Sequence, residues 1–329
     1  MNKNKFKIAV LCGGFEPESY ASNLTGRNVL KALKNAGFVK SFKLNVDKDV
    51  VKNLQINKPD FAFLTTFCKW GEDGVIQGLL ETLNIPYSGS GVEASSLCKN
   101  KFLFNRFVSG CGLYSPKNYF YGNRLDYVKC HKKIIRIPCI VKAVYQGYSL
   151  GTSLVRNIKQ LNQACNVAFK FSTKITIEEY VVGREFTVGI IDIYKSKNNF
   201  ERLVLPIIEI KFKGTHIIQS SLVKDNPDLM EEIIPAKISS KEVNKLRKQS
   251  LMLYEKLGCL GVARFDVRQS RKNKKFYFLE NNTCPGILNY KQSDLPKQLE
   301  SFNISLEMYV EQMIKVGINR PENKLEQYL

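Results

Sequence analysis

The chain has 329 residues, nine cysteines and two histidines, and its 50 basic residues against 30 acidic ones give a net charge of +20. This length allows two or three domains with substantial cores. The scarcity of histidine and the lack of a CxxC pair argue against a zinc site. Cysteines spread in this way are typical of reduced thiols, which predicts a cytoplasmic protein.

No segment approaches the ~20 apolar residues of a membrane span, so no membrane partner is expected. The start, MNKNKFKIAVLCGG, leads into a Gly-Gly turn and is typical of a first strand, not of a signal peptide. The high positive charge would suit nucleic acid, but the lysines are dispersed along the chain. A polyanionic nucleotide substrate would benefit from the same field, and we expect small-molecule partners.

The first part of the chain has the rhythm of an open parallel sheet. The predicted elements are strands at 7–11, 41–46 and 61–66 and a helix from about 16 to 37, with Pro17 in its first turn. Ligands of such sheets lie beyond the carboxyl ends of the strands. Glu18 and the segment after Thr66 both fall there, so this end is a candidate site.

The acidic segment Gly71-Glu72-Asp73-Gly74 opens a helix that runs through Leu83. Acidic residues at a helix start are favoured by the helix dipole, which is one explanation, and a ligand contact is the other. Residues 92–109 have a helical pattern that contains Lys101. We place the first domain boundary near residue 100.

The middle third contains a loop suited to phosphate. A predicted strand at 137–142 ends in Lys142 and runs into YQGYSLGTS, where two glycines and small hydroxyl residues can bring backbone N–H groups close to an anion. The loop is neither a Walker A motif nor GxGxxG. The remaining predicted elements are strands at 119–121, 176–182, 186–193 and 203–212 and helices at 158–169, 241–257 and 304–316.

The segment at 261–286 predicts a β-hairpin with a polar turn at 269–275. Residues i and i+2 of a strand face the same side, so Arg264 and Asp266 share a face, as do Glu280 and Asn282. If the two faces coincide, two carboxylates and an amide oxygen suit Mg²⁺, and the arginine could stabilise developing negative charge. A surface hairpin with scattered charges is the alternative.

Taken together, these segments resemble the D-alanine–D-alanine ligase family of the ATP-grasp fold over nearly the whole chain. The collinear matches are LCGGFEPES, GEDGVIQGLLETLNIPYSGSGVEASSLCKNK, IVKAVYQGYSLGTS, EEYVVGREFTVGI, GVARFDV and FYFLENNTCPGI. The resemblance implies an α/β (α+β) protein with three domains. These are an N-terminal parallel α/β substrate domain (1–100), a central lid domain (101–183) and a C-terminal mixed-sheet domain with the metal site (184–329).

The resemblance also implies an ATP-dependent ligase with Mg²⁺ (or Mn²⁺) that phosphorylates one carboxylate before an amine attacks the acyl phosphate. The implied ATP contacts are Lys101 and Lys142 to the phosphates, Tyr148, Ser149 and Gly151 in the lid, and Glu178, Val181 and Glu185 to adenine and ribose. The implied metal ligands are Asp266, Glu280 and Asn282. The implied catalytic residues are Arg264 for the tetrahedral intermediate, Glu18 for the first ammonium group, and Glu72.

The departures from the family pattern lie on the amino-acid side. Phe67 and Cys68 replace a His-Gly pair, Tyr148 replaces a serine, and the loop at 216–228 lacks a Lys-Tyr pair. Lys291 could hold a carboxylate where the family has a hydroxyl. We expect the same reaction with altered amino-acid specificity. The alternatives are a D-alanine–D-alanine ligase of cell-wall synthesis and a degenerate nucleotide-binding protein, and the resemblance implies a homodimer.

Overall fold

The computed structural model describes residues 2–14, 18–67, 69–130, 136–197, 199–214, 218, 223, 226–288 and 293–320. Pro17, Cys68, Lys291 and most of the loop at 216–228 lie outside the described residues, so the predictions made on them are not addressed. Within the described residues, no helix is both long and apolar enough to cross a membrane.

The helices and strands follow one another along the whole chain. The strands are β1 Ile8–Cys12, β2 Phe42–Asn45, β3 Phe61–Leu64, β4 Asn118–Tyr121, β5 Cys139–Ala143, β6 Ser153–Val155, β7 Ile175–Glu179, β8 Gly183–Ser196, β9 Asn199–Val204, β10 Ile208–Phe212, β11 Met230–Ile233, β12 Val262–Ser270 and β13 Phe276–Asn282. The helices are α1 Ser19–Asn35, α2 Val50–Asn57, α3 Val75–Thr82, α4 Val92–Lys99, α5 Lys101–Gly110, α6 Arg124–Cys130, α7 Leu161–Phe171, α8 Ser240–Lys256, α9 Asp294–Glu300 and α10 Leu306–Ile318.

The first sheet has the order β2-β1-β3, and both pairings are parallel, as predicted. All five residues of β1 are buried, which is usual for a central parallel strand covered on both faces. The helix α1 begins at Ser19, later than the predicted start near residue 16, and Glu18 occupies the position just before it. Glu18 therefore stands at the carboxyl end of this sheet.

The second sheet, β4-β7-β5-β6, is antiparallel and is covered by α7. The third sheet has the order β11-β10-β8-β12-β13, with β9 also paired to β8. The pairings between its described strands are antiparallel, and an isolated parallel bridge joins Tyr114 to Tyr277 of β13, so both directions occur at this sheet. Short turns join β8 to β9 and β12 to β13, and strands joined in that way run in opposite directions.

Two predicted elements are divided in the structure. The strand predicted at 203–212 is β9 and β10, separated at Pro206, which has no N–H to offer a sheet. The helix predicted at 92–109 is α4 and α5. Asn100 between them is extended, and its side chain accepts hydrogen bonds from the backbone N–H groups of Phe102 and Leu103. This cap starts a new helix.

The last helix, α10, returns to the first sheet. The rings of Tyr309 and Phe63 meet edge to face with their centroids 6.5 Å apart. One buried apolar cluster joins residues of β1, α1 and β3 to residues of α9 and α10. The first sheet is therefore packed against the C-terminal part of the chain, while the domain bounds given above stay a prediction.

Candidate active site

The hairpin of β12 and β13 brings the predicted metal ligands together. Asp266 lies opposite Glu280, and Arg264 lies opposite Asn282, with a bulge directly after Asp266. The expected coincidence of the two faces is confirmed. A bulge re-aims side chains locally, which is common beside active sites.

Asp266 is the most crowded carboxylate of this hairpin. Arg264 donates to both of its oxygens, from Nε to Oδ1 at 3.3 Å and from Nη2 to Oδ2 at 3.2 Å. The Thr187 hydroxyl also donates to Oδ1. Burial raises the pKa of Asp266 to about 6, Arg264 opposes this, and the charge of Glu280 adds to it. A cation between the two carboxylates would relieve their repulsion.

The donor set at this hairpin fits Mg²⁺. Mg²⁺ is usually held by one or two carboxylates together with substrate phosphates. Within the described part of the chain, no group of three or more His, Cys, Asp or Glu residues could hold a metal ion. An ion held by Asp266, Glu280 and Asn282 would therefore share its coordination with a bound substrate.

A first cavity, which we call the nucleotide cavity, opens beside this hairpin. Its volume is about 720 Å³ including its mouth. Most of the predicted ATP and metal residues line it: Lys101, Lys142, Ser149, Glu178, Val181, Glu185, Asp266 and Glu280. Residues from the second and third sheets thus share one space, although they are up to 179 positions apart in sequence.

Two lysines with little side-chain exposure supply positive charge to the nucleotide cavity, whose lining also carries several carboxylates. Lys142 Nζ lies 2.7 Å from Glu178 Oε2. Burial is the largest influence on the pKa of Lys142 and lowers it, but Glu178 and Glu280 raise it above the ordinary value. Lys101 Nζ lies 3.2 Å from Glu280 Oε2 and donates to the Gln146 carbonyl at 2.6 Å. Both lysines line the cavity, and the phosphate contacts expected of them stay a prediction.

The lid loop separates the two sides of the site. Tyr148 and Ser149 have φ angles of 47° and 59°, which non-glycine residues rarely adopt, and Leu150 N donates to the Gly147 carbonyl to close the turn. Ser149 lines the nucleotide cavity and Tyr148 lines the second cavity. Gly151 lines neither; a Cβ there would meet the Ala143 side chain at 3.1 Å, so its role is close packing of the loop.

Arg268, which the sequence prediction missed, also lines the nucleotide cavity. Its Nε donates to Glu185 Oε2 at 2.8 Å, its Nη1 donates to the Val181 carbonyl at 3.1 Å, and its guanidinium lies over the Tyr180 ring. Arg268 thus fixes two predicted adenine and ribose contacts. It follows Arg264 and Asp266 at a spacing of two, so strand alternation was a signal that could have identified it.

A second cavity, which we call the amino-acid cavity, adjoins the first. Its volume is about 920 Å³ including its mouth. The predicted residues that line it are Glu18, Phe67, Glu72, Tyr148, Arg264, Glu280 and Asn282. Glu280 lines both cavities, and no other described residue does. The predicted phosphate side and the predicted amino-acid side therefore meet at one carboxylate.

The acidic segment before α3 places its two acids differently. Asp73 accepts hydrogen bonds from the backbone N–H groups of Trp70 and Val75 and so holds the helix start. Glu72 instead faces the amino-acid cavity and pairs with buried Lys99, whose Nζ is 3.0 Å from Glu72 Oε2. The sequence prediction also missed Lys99, because the position of this residue depends on the break between α4 and α5.

Antiparallel sheets that share a lysine-lined cavity with paired carboxylates define an ATP-grasp enzyme. A family model described as "D-ala D-ala ligase C-terminus" matches residues 117–315. The chain belongs to the D-alanine–D-alanine ligase family. It is thus an ATP-dependent, ADP-forming ligase that makes a C–N bond.

Several named relatives resemble the chain over nearly its full length. It is 31% identical to the D-alanine–D-alanine ligase of Carboxydothermus hydrogenoformans, covering 95% of this chain and 98% of that protein. It is 32% identical to that of Fervidobacterium nodosum, covering 94% and 98%. The crystal structure of the Bacillus anthracis enzyme complexed with ATP matches with a TM-score of 0.78 at 25% identity, covering 98% and 99%. The Enterococcus faecalis VanG D-Ala:D-Ser ligase, at 22% identity and a TM-score of 0.74 over 94% and 99%, shares the fold.

Proposed function

We propose that the chain is a Mg²⁺- and ATP-dependent ligase that joins two amino acids through an acyl phosphate, with a specificity that differs from that of a D-alanine–D-alanine ligase. The observation that carries this proposal is the meeting of the two cavities at Glu280. A phosphoryl group can pass from one cavity to a carboxylate in the other without leaving the protein. The free thiols of the described cysteines suit a reducing compartment, and we place the enzyme in the cytoplasm.

In this proposal the protein contributes mainly position and charge. Phosphoryl transfer requires little covalent chemistry from the protein, so Lys101 and Lys142 hold the phosphates and neutralise them. Mg²⁺ bound by the hairpin would supply further neutralisation. Arg264 lines the amino-acid cavity next to the predicted metal ligands and would stabilise the oxyanion when the amine attacks. Glu18, which lines the amino-acid cavity, anchors the ammonium group of the first substrate.

The altered specificity rests on the aromatic residues of the amino-acid cavity. Phe67 and Tyr148 both line it together with Glu18. Two bulky rings at these positions reshape the space for a small substrate such as D-alanine. The named relatives favour the second candidate, an ordinary D-alanine–D-alanine ligase.

A substrate screen separates these candidates. The purified enzyme is given ATP, Mg²⁺ and pairs drawn from D- and L-amino acids and hydroxy acids, with phosphate release as the readout. We expect release that depends on added amino acid and is strongest for a pair other than two D-alanines. Strong D-alanyl-D-alanine formation at millimolar substrate would contradict the altered specificity but not the ligase activity.

Replacing Glu18 by alanine should raise the KM for the first amino acid at least tenfold more than the KM for ATP. Glu18 lines the amino-acid cavity and not the nucleotide cavity, and its loss removes a charge-assisted contact to the ammonium group, each tenfold corresponding to about 1.4 kcal/mol. Steady-state kinetics with each substrate varied in turn provide the measurement. Glu93→Ala, an exposed acid on α4, is the control. Equal changes in both KM values would argue against the anchor.

A further inference from the structure

Arg264 is held between two carboxylates, of which only one belongs to the predicted metal site. Its Nη1 lies 3.2 Å from Asp294 Oδ2, at the start of α9, while its Nη2 and Nε are directed to Asp266. Asp294 lines the amino-acid cavity beside Arg264, and 13% of its side chain is exposed. All three guanidinium nitrogens of Arg264 therefore already have a carboxylate partner.

A second carboxylate stands at the same end of the cavity. Glu232 of β11 lines it and pairs with Lys297, which lies one turn along α9 from Asp294. Glu232 and Asp294 line the same cavity; burial raises the pKa of Glu232, the charge of Asp294 raises it further, and Lys297 and Arg264 oppose both. Here the charges of Arg264 and Lys297 are matched by those of Asp294 and Glu232. Among the described residues at this end of the cavity, the two cations and these two acids therefore balance, and Lys291, expected from the sequence as a carboxylate contact, lies outside the described residues.

This arrangement has a consequence for the substrate whose amine attacks next to Arg264. A free carboxylate on that acceptor would compete with Asp294 for the guanidinium and would be repelled by both acids. Like charges a few ångströms apart in a partly buried site interact by several times the thermal energy. An acceptor without that negative charge avoids the repulsion. A neutral polar group on it, such as a carboxamide, can accept or donate hydrogen bonds next to Arg264 and Asp294.

We propose that Asp294 is a specificity-determining residue that favours an acceptor amine whose neighbouring carboxylate is blocked as an amide or absent. This inference rests on the proposed function and narrows its second substrate. Asp294 is absent from the predicted site residues, and its partner Arg264 lies 30 positions earlier in the sequence.

The first step of the test establishes acyl-phosphate chemistry without the natural acceptor. The full-length wild-type enzyme is given ATP, Mg²⁺, hydroxylamine and one candidate donor amino acid at a time. Hydroxylamine attacks the acyl phosphate, releases phosphate and leaves a hydroxamate that is measured by mass spectrometry. The donor that gives most hydroxamate is used in the second step.

In the second step the acceptors are D-alanine and D-alaninamide. The two compounds differ only in that D-alaninamide has a carboxamide where D-alanine has a carboxylate. We expect the wild-type enzyme to have the higher kcat/KM with D-alaninamide. Asp294→Asn should shift the ratio of the two kcat/KM values about tenfold toward D-alanine, or about 1.4 kcal/mol. Comparing ratios removes the intrinsic difference in reactivity between the two amines. Glu232→Gln should shift the ratio in the same direction, and it carries the test if Asp294→Asn does not fold.

The matched control is Glu300→Gln, which removes an exposed acid from the end of the same helix, away from the cavity. Its ratio should match that of the wild type. If hydroxamate forms but neither Asp294→Asn nor Glu232→Gln changes the ratio of the two kcat/KM values, the proposed role of Asp294 is wrong and the proposed function stands. If no donor gives hydroxamate, the proposed function falls and this inference falls with it.

Discussion

Glu280→Gln is expected to lower turnover by about 10²–10³-fold or more, the range for removal of one preorganised electrostatic group. Glu280 lies opposite Asp266 across the hairpin and 3.2 Å from Lys101. The amide keeps the shape of the side chain but removes the charge that a divalent cation needs. Because Glu280 also lines both cavities, its loss should affect the transfer step as well as metal binding.

The folded state should tolerate this substitution. The charge of Glu280 raises the pKa of Asp266, so its removal relieves a repulsion between two carboxylates, but it also takes the partner away from Lys101. These two effects on stability have opposite signs, so the unfolding midpoint in urea should stay close to that of the wild type. Near-normal turnover with unchanged Mg²⁺ dependence would contradict the metal assignment. Glu231→Gln, an exposed acid of β11, is the control for a general effect of charge on activity.

The hairpin could be predicted because its information is local. Side chains alternate along a strand, so a spacing of two places Arg264 and Asp266 on one face whatever the rest of the fold does. The same rule extends to Arg268, which the sequence prediction could have included. The parallel pairing of the first three strands could also be predicted from the sequence. Parallel strands need a long crossover connection, and the helix between β1 and β2 supplies one.

Other features depend on contacts that no short segment contains. Asp294 reaches Arg264 only because α9 packs against the third sheet, and Glu232 joins them from β11. Lys99 pairs with Glu72 because Asn100 ends one helix and caps the next, where a single helical pattern was expected. In each case a tertiary contact or a side-chain cap prevailed over the regular pattern of the segment.

Lys142→Met should have two separable effects, a loss of stability and a loss of ATP affinity. Lys142 is paired with Glu178, whose side chain is 2% exposed and has Asn105 Nδ2 as a further donor at 3.3 Å. Breaking a buried pair by removing one partner typically costs about 3–5 kcal/mol, because it leaves an uncompensated buried charge. We expect a loss of that size in the free energy of unfolding, measured by urea denaturation.

Between about pH 6 and 9, the expected difference in the free energy of unfolding between the wild type and Lys142→Met does not depend on pH. The folded state raises the pKa of Lys142 above its ordinary value near 10.4. A cation whose pKa is raised by folding contributes stability below its unfolded pKa and loses it as the pH rises through the folded value. The Lys142 contribution is therefore fully present throughout the range in which the enzyme is assayed.

The double variant Lys142→Met/Glu178→Gln separates the two effects. Neutralising Glu178 removes the uncompensated charge, so most of the lost stability should return. ATP affinity should stay below that of the single variant Glu178→Gln, because the amine that meets the phosphates is still missing. If the double variant regained both, Lys142 would serve only to neutralise Glu178. If the single variant kept wild-type ATP affinity at a temperature where it is folded, the assignment of Lys142 to the phosphates would be wrong.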